Sequence, residues 1–208
     1  MKTVSPTSRR TSASRWRVYS PALADDMQAT SQLTSFPAGR NDHLAVPALL
    51  GERGYALRPL CDDDLSWLRE LYASTRAEEL APVPWPEASK RAFLDSQFAL
   101  QHQHYQAHYS DSDFLAIERH GVVVGRYYLQ RSAPDHLIVD ICLFPGERGH
   151  GVAAALIAHS QGEAAALGRG VTLHVQADNV AAQRLYRRAG FALIHDQGSH
   201  LLLRWAPG

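Results

Sequence analysis

Residues 137–144 form an apolar run, LIVDICLF, followed by Arg148-Gly149-His150-Gly151-Val152-Ala153 and then a helical pattern that lasts to about residue 167. An ordered succession of strand, glycine-bearing turn and helix leaves a chain few folds to choose from. Glycine lets the backbone adopt positive φ and come close to a neighbour. The first amides of the helix have no intrahelical partner, and the helix dipole places about half a positive charge there. A phosphorylated ligand is therefore expected on this turn.

The remaining punctuation divides the chain into alternating elements. Ordered structure is expected to begin at Gly54, with a strand over 55–60 that carries proline near its end, where a lost donor matters least. Asp62, Asp63 and Asp64 supply an N-cap and first-turn acids for a helix through Leu65, Leu68, Leu71 and Tyr72. The prolines of residues 81–86 force a stiff loop. A second helix places Leu94, Phe98, Tyr105 and Tyr109 near one face. His120-Gly121 separates two strand-like runs as a hairpin turn. After the glycine turn and its helix come a strand over 171–176, a short helix over 180–188 with Gly190 just beyond its end, and two final strands. The order is βααβββαβαββ, an α/β (α+β) arrangement around a mixed, mostly antiparallel sheet of about seven strands and four helices.

Composition narrows the functional classes. At 208 residues, one domain with some excess is expected. The formal net charge is zero, which argues against a dedicated nucleic-acid binder. Cys61 and Cys142 lack CxxC spacing, so a reducing, cytoplasmic setting is the plain expectation. No apolar run approaches the ~20 residues of a membrane span. Residues 1–50 read as a basic, Ser/Thr-rich extension: Lys2, Arg9, Arg10, Arg15 and Arg17 come without an acid before residue 25. A targeting leader has such a composition, but a disordered tail is the simpler expectation. The folded domain is placed at 54–206.

Two motifs in the second half resemble those of the GNAT superfamily of acyl-CoA-dependent N-acyltransferases. Arg148-Gly149-His150-Gly151-Val152-Ala153 is similar to its Gln/Arg-x-x-Gly-x-Gly/Ala signature. Asn179, Ala182, Leu185, Tyr186, Gly190 and Phe191 match Asn-x-x-Ala-x-x-Leu-Tyr-x-x-x-Gly-Phe. The two are separated by one helix and one strand, and the resemblance covers about residues 55–205. Other phosphate loops fit worse. A dinucleotide fingerprint would need Gly-x-Gly-x-x-Gly after the first strand, and a Walker loop would need Gly-Lys-Ser/Thr.

The resemblance implies acetyl transfer from acetyl-CoA, as co-substrate and without a metal, to a primary amine by direct attack in a ternary complex. It implies that backbone around Ile141, Leu143 and Phe144 holds the pantetheine arm, and that the glycine turn, together with Asn179 and Ala182, holds the rest of the cofactor. Tyr186 is the implied acid for the departing thiolate; as a residue, it could equally pack its helix on the sheet. Asn179 could simply cap that helix. For the base, His174 is the first candidate, because some similar peptide amino-terminal acetyltransferases carry a glutamate at this strand position and histidine titrates near neutrality. Asp140, a charge within an apolar strand, is the second. Glu78 and Glu79 fall where the family shapes its acceptor pocket, and Trp85 either lines that pocket or anchors its loop.

His102, His104 and His108 lie on one helical pattern beside Gln101, Gln103 and Gln106, and a solvated polar face is expected rather than zinc. The acceptor, a small-molecule or protein amine, is not legible, and self-association is left open. Two rivals from other classes are an acyl-CoA-binding sensor without turnover and a scaffold domain without ligand.

Overall fold

A computed structural model describes residues 33–208. The elements are α1 (Ala48–Gly51), β1 (Tyr55–Pro59), α2 (Leu65–Leu80), α3 (Glu87–His108), β2 (Asp113–Arg119), β3 (Val122–Gln130), β4 (Asp135–Leu143), α4 (Val152–Ala166), β5 (Gly170–Gln176), α5 (Val180–Arg188), β6 (Ala192–Asp196) and β7 (His200–Trp205). One sheet runs β1-β2-β3-β4-β5-β7-β6, antiparallel except where β4 meets β5. Apart from one-turn α1, the succession is the one read from the sequence.

Local chemistry accounts for most boundaries. His120 and Gly121 take φ of 50° and 76°, the paired positive angles that a tight two-residue hairpin demands. The proline loop separates α2 from α3. Asn179 Oδ1 accepts the Ala182 amide at 3.0 Å and caps α5. At the other end Gly190 sits at φ 83°, and the Phe191 amide donates to Tyr186 O, closing the helix as expected.

The start of α2 differs from the simple cap expected. Asp62–Asp64 form a 3₁₀ turn, and the Asp64 carboxylate does not bond the amides of α2. It is instead a hub, accepting from Arg58 Nη1 and Nη2 at 2.7 and 2.8 Å, from Trp67 Nε1 at 2.7 Å and from the Cys61 amide at 2.9 Å. Burial pushes this carboxyl up, but those donors together hold it well below the usual carboxylate range.

Apolar side chains fill both faces of the sheet. On one face, Tyr127, Leu129, Ile138, Leu173 and Leu203 pack with Val152, Leu156 and Ile157 of α4 and Tyr186 of α5. On the other, Phe114, Ala116 and Tyr128 pack with Leu68 and Tyr72 of α2 and Phe98 of α3. Ordered packing begins before Gly54, which corrects the expected boundary: Leu44 and Leu50 are wholly buried in the first cluster. That segment lacks periodicity because it crosses the core irregularly, inserting single side chains. Residues 1–32, with the basic leader, lie outside the described residues. Among the described residues no helix is long and apolar enough to cross a membrane.

Candidate active site

The sheet opens at its parallel pair. β4 and β5 are laddered only from Asp135↔Gly170 to Ile138↔Leu173. Beyond that point β4 continues to Leu143 and β5 to Gln176 without pairing to each other. An irregularity prepares the split: β3–β4 pairing steps from Leu129↔Ile138 to Tyr128↔Asp140, leaving Val139 unmatched. The extra residue bends β4. The β5-facing peptide groups of the far half of β4, including Ile141 and Leu143, therefore border a notch instead of a neighbouring strand.

β4 leads through Phe144 and a 3₁₀ turn, Pro145–Glu147, into the glycine turn. Gly149 and Gly151 each adopt φ +80°. A Cβ at either would meet nothing within 4 Å, so the conformation of the turn, rather than lack of room in it, is what demands glycine here. Gly151 directly precedes α4, and Ala155 is the first residue whose amide is engaged, onto Gly151 O at 3.0 Å. Among the described residues the amides of Gly149, His150, Gly151, Val152, Ala153 and Ala154 donate to no protein acceptor. Arg148 Nε donates to Leu143 O at 3.0 Å, tying the turn to the end of β4, and Arg53 Nη2 donates to His150 O at 2.9 Å. Glu147, the acid beside the turn, is engaged by the Tyr55 hydroxyl at 3.1 Å and by Arg119 at 3.6 Å. Together the free amides, the helix terminus and these arginines make a surface suited to anions.

Tyr186 reaches the split from α5. It is buried, set edge-on to Phe191 with ring centres 5.8 Å apart, and its hydroxyl bonds no group among the described residues. Burial, aided by the charge of Asp140, pushes the hydroxyl up to about 12.

Asp140 and His174 stand on the two lips of the notch, on the face shared with α3. Asp140 Oδ2 pairs with Arg126 Nη2 at 2.5 Å and accepts from the Tyr105 hydroxyl at 3.4 Å. His174, opposite Leu202 of β7, is exposed where neither α2 nor α3 covers the sheet. Burial of part of its ring, then nearby His200, lowers its pKa below the ordinary histidine value, so the ring is neutral at pH 7.

The expected pocket residues divide. Glu79 pairs with Arg76 at 3.1 Å, and the charges of Arg76, Arg126 and Glu79 all bear on the buried Tyr72 hydroxyl. This sets the end of α2 beside the face that Asp140 occupies. Glu78 is exposed on the same helix. Trp85 lies edge-on to Phe93 with centres 5.6 Å apart, the anchoring arrangement, and remains 43% exposed.

Sequence reading missed Arg126. It pairs across the ladder with Cys142, donates from Nη2 to Gln101 Oε1 at 2.8 Å, and lies within 5.2 Å of the Tyr128 ring centre and 5.9 Å of that of Tyr105. A signal did exist: Arg126 is the lone charge of residues 122–130 and Asp140 that of the apolar run 137–144, and opposite charges so placed are expected to meet.

The histidine face is corrected in part. His102 is buried, stacked on Phe98, with Nε2 against Thr34 O at 2.5 Å, and Gln106 is buried too. His104 and His108 lie ring to ring, with centres 4.3 Å apart. Among the described residues no group of three or more His, Cys, Asp or Glu is placed to hold a metal ion.

Comparison with known proteins agrees with this geometry. The family model described as acetyltransferase (GNAT) family matches residues 68–191. A comparison with curated sequences returns no match. Among solved structures, the fold is similar to a PaiA N-acetyltransferase from Thermoplasma acidophilum in complex with coenzyme A: TM-score 0.57, 16% identity, 74% of this chain and 99% of that one. It is also similar to a protein of Pyrococcus horikoshii OT3, with TM-score 0.54, 15% identity and coverage of 74% and 99%. A histone acetyltransferase HPA2 and related acetyltransferase from Corynebacterium glutamicum gives TM-score 0.51 at 20% identity, with coverage of 74% and 97%.

Proposed function

We propose that this chain, which belongs to the GNAT acetyltransferase family, transfers an acetyl group from acetyl-CoA to a primary amine by direct attack in a ternary complex. The observation that carries the reading is the parting of β4 and β5 after Ile138↔Leu173, with Tyr186 set beneath it and six unengaged amides at its end. The complex of the Thermoplasma acidophilum enzyme with coenzyme A supports the same ligand for this notch.

In this reading the amides of residues 149–154 bind the diphosphate through the partial charge of the α4 terminus. The peptide group of Ile141 and the amide of Leu143 align the pantetheine arm and polarise the thioester carbonyl; Phe144, expected to continue them, has its amide on Val124 O and its carbonyl engaged by the Glu147 amide. His174, neutral at pH 7, takes the proton that the acceptor ammonium must lose before its lone pair can attack. The new C–N bond forms as the C–S bond breaks, and the electron pair leaves on sulfur. Tyr186 holds its proton more tightly than a thiol does, at about 12 against an ordinary thiol value of about 8.5. Its hydroxyl therefore stabilises the leaving thiolate chiefly as a hydrogen-bond donor, and solvent completes protonation. Asn179 already caps α5, so a role toward the cofactor falls to its outward amide and to the neighbouring Ala182.

Both thiols are free, which supports a reducing, cytoplasmic place of action. An assay with acetyl-CoA and a panel of primary amines tests the reading. Time-dependent release of coenzyme A that requires an amine supports it. Coenzyme A binding with no transfer to any amine would point to a sensor instead.

A further inference from the structure

We propose that Arg126 is a positioning residue of the acceptor site: it holds Asp140 by Oδ2 at the lip of the notch, leaving Oδ1 to seat the protonated amine of the acceptor. The inference rests on the acetyl-transfer reading and extends it to how an acceptor is recognised.

The side chain of Asp140 keeps 17% exposure while that of Arg126 keeps 5%. Both of the carboxylate's partners among the described residues, Arg126 Nη2 and the Tyr105 hydroxyl, fall on Oδ2. Arg126 is itself fixed on three sides, by Gln101 Oε1 and by the rings of Tyr128 and Tyr105. A buried guanidinium cannot give up its proton and has no second carboxylate among these partners. If Asp140 took up a proton, that cation would be left without its counter-charge in the interior, a costly state. Asp140 is therefore held with one clamped oxygen and one presented oxygen. Such a group suits the seating of an ammonium better than the cycling of a proton.

The groups facing Asp140 are Arg126 and Tyr128 from β3, Tyr105 from α3, Cys142 of its own strand and Tyr186 from α5. Only Arg126 among them is cationic. Its loss should therefore free the carboxylate to turn away and weaken the seating of the amine.

The test compares Arg126→Gln, Arg126→Lys and the parent enzyme, using the best amine of the panel. For Arg126→Gln we expect acceptor KM to rise tenfold or more with kcat changed less than threefold. Coenzyme A affinity should be retained. Arg126→Lys should recover part of the KM. A lowered melting temperature with acceptor KM in place would overturn the proposal, leaving Arg126 purely structural. A fall in kcat at constant KM would overturn it too, by returning Asp140 to proton transfer. A measurement free of turnover accompanies these: carbon-13 NMR of labelled aspartate carboxyls, titrated with butylammonium and with butanol as neutral control. The Asp140 signal should respond saturably to the amine alone, and at least tenfold more weakly in Arg126→Gln. No response in the parent protein would overturn the proposal even if acetyl transfer stands. Failure of the acetyl-transfer reading shows separately, as absence of amine-dependent coenzyme A release.

Discussion

At the scale of single residues, the proposed chemistry turns on the surroundings of Tyr186, His174 and Asp140. Tyr186 is buried and raised, so its proton is present throughout the working pH range. Tyr186→Phe should lower kcat by about 10²–10³-fold, the usual cost of losing one hydrogen-bond donor to a developing anion, with coenzyme A affinity little changed. Steady-state kinetics beside calorimetry separate the two, and an unaltered kcat would remove the hydroxyl from the reaction. His174 has its pKa lowered by burial and by His200, so its base form persists to a lower pH than that of an ordinary histidine. The acid limb it sets on kcat should therefore lie below about 6.5. His174→Ala should abolish that limb, and a limb left in place would assign the proton to water. Much of this was legible in the residues themselves. The Asn179 cap was legible because it is written within one short helix, whereas Tyr186 was singled out only through the resemblance of its motif. Arg126 was not found, because its meeting with Asp140 depends on the register around Val139, which no local pattern displays.

At the scale of elements, the caps and turns were legible because each depends on a few neighbouring residues. Asn179, Gly190 and His120-Gly121 behave as their chemistry requires. The parting of β4 from β5 was not, since both strands are apolar enough to have continued their ladder. The start of α2 shows the same limit. Three successive aspartates announce a helix entrance, yet Asp64 serves as an anchor between β1 and α2 through Arg58 and Trp67. Asp64→Asn should cost about 2 kcal/mol, between exposed and fully buried ion pairs because Arg58 is partly exposed. The folded-state pKa of Asp64 is depressed, so its contribution is fully present above the unfolded carboxylate pKa of about 4 and is lost as the pH falls below it. Denaturant unfolding at pH 7 and at pH 3 checks both points. The variant should be weaker than the parent at pH 7, and the gap should narrow at pH 3. A gap unchanged between the two pH values would contradict the ion-pair account.

At the scale of the whole molecule, the alternation of strands and helices was enough to give the mixed, mostly antiparallel sheet, and the resemblance of the motifs at 148–153 and 179–191 gave the family. The start of the folded body was not, because residues 33–50 contribute Leu44 and Leu50 to the core without forming a periodic element. The site belongs to this scale as well: β4, β5, α4 and α5 each bring one part of it, and the amides at the head of α4 decide whether the notch can hold its nucleotide. Isothermal titration of coenzyme A into the parent protein and into Gly151→Glu reads this directly. We predict micromolar or tighter binding by the parent, about −8 kcal/mol or better, and none detectable once a carboxylate is set among those amides. Equal binding by both proteins would contradict the account.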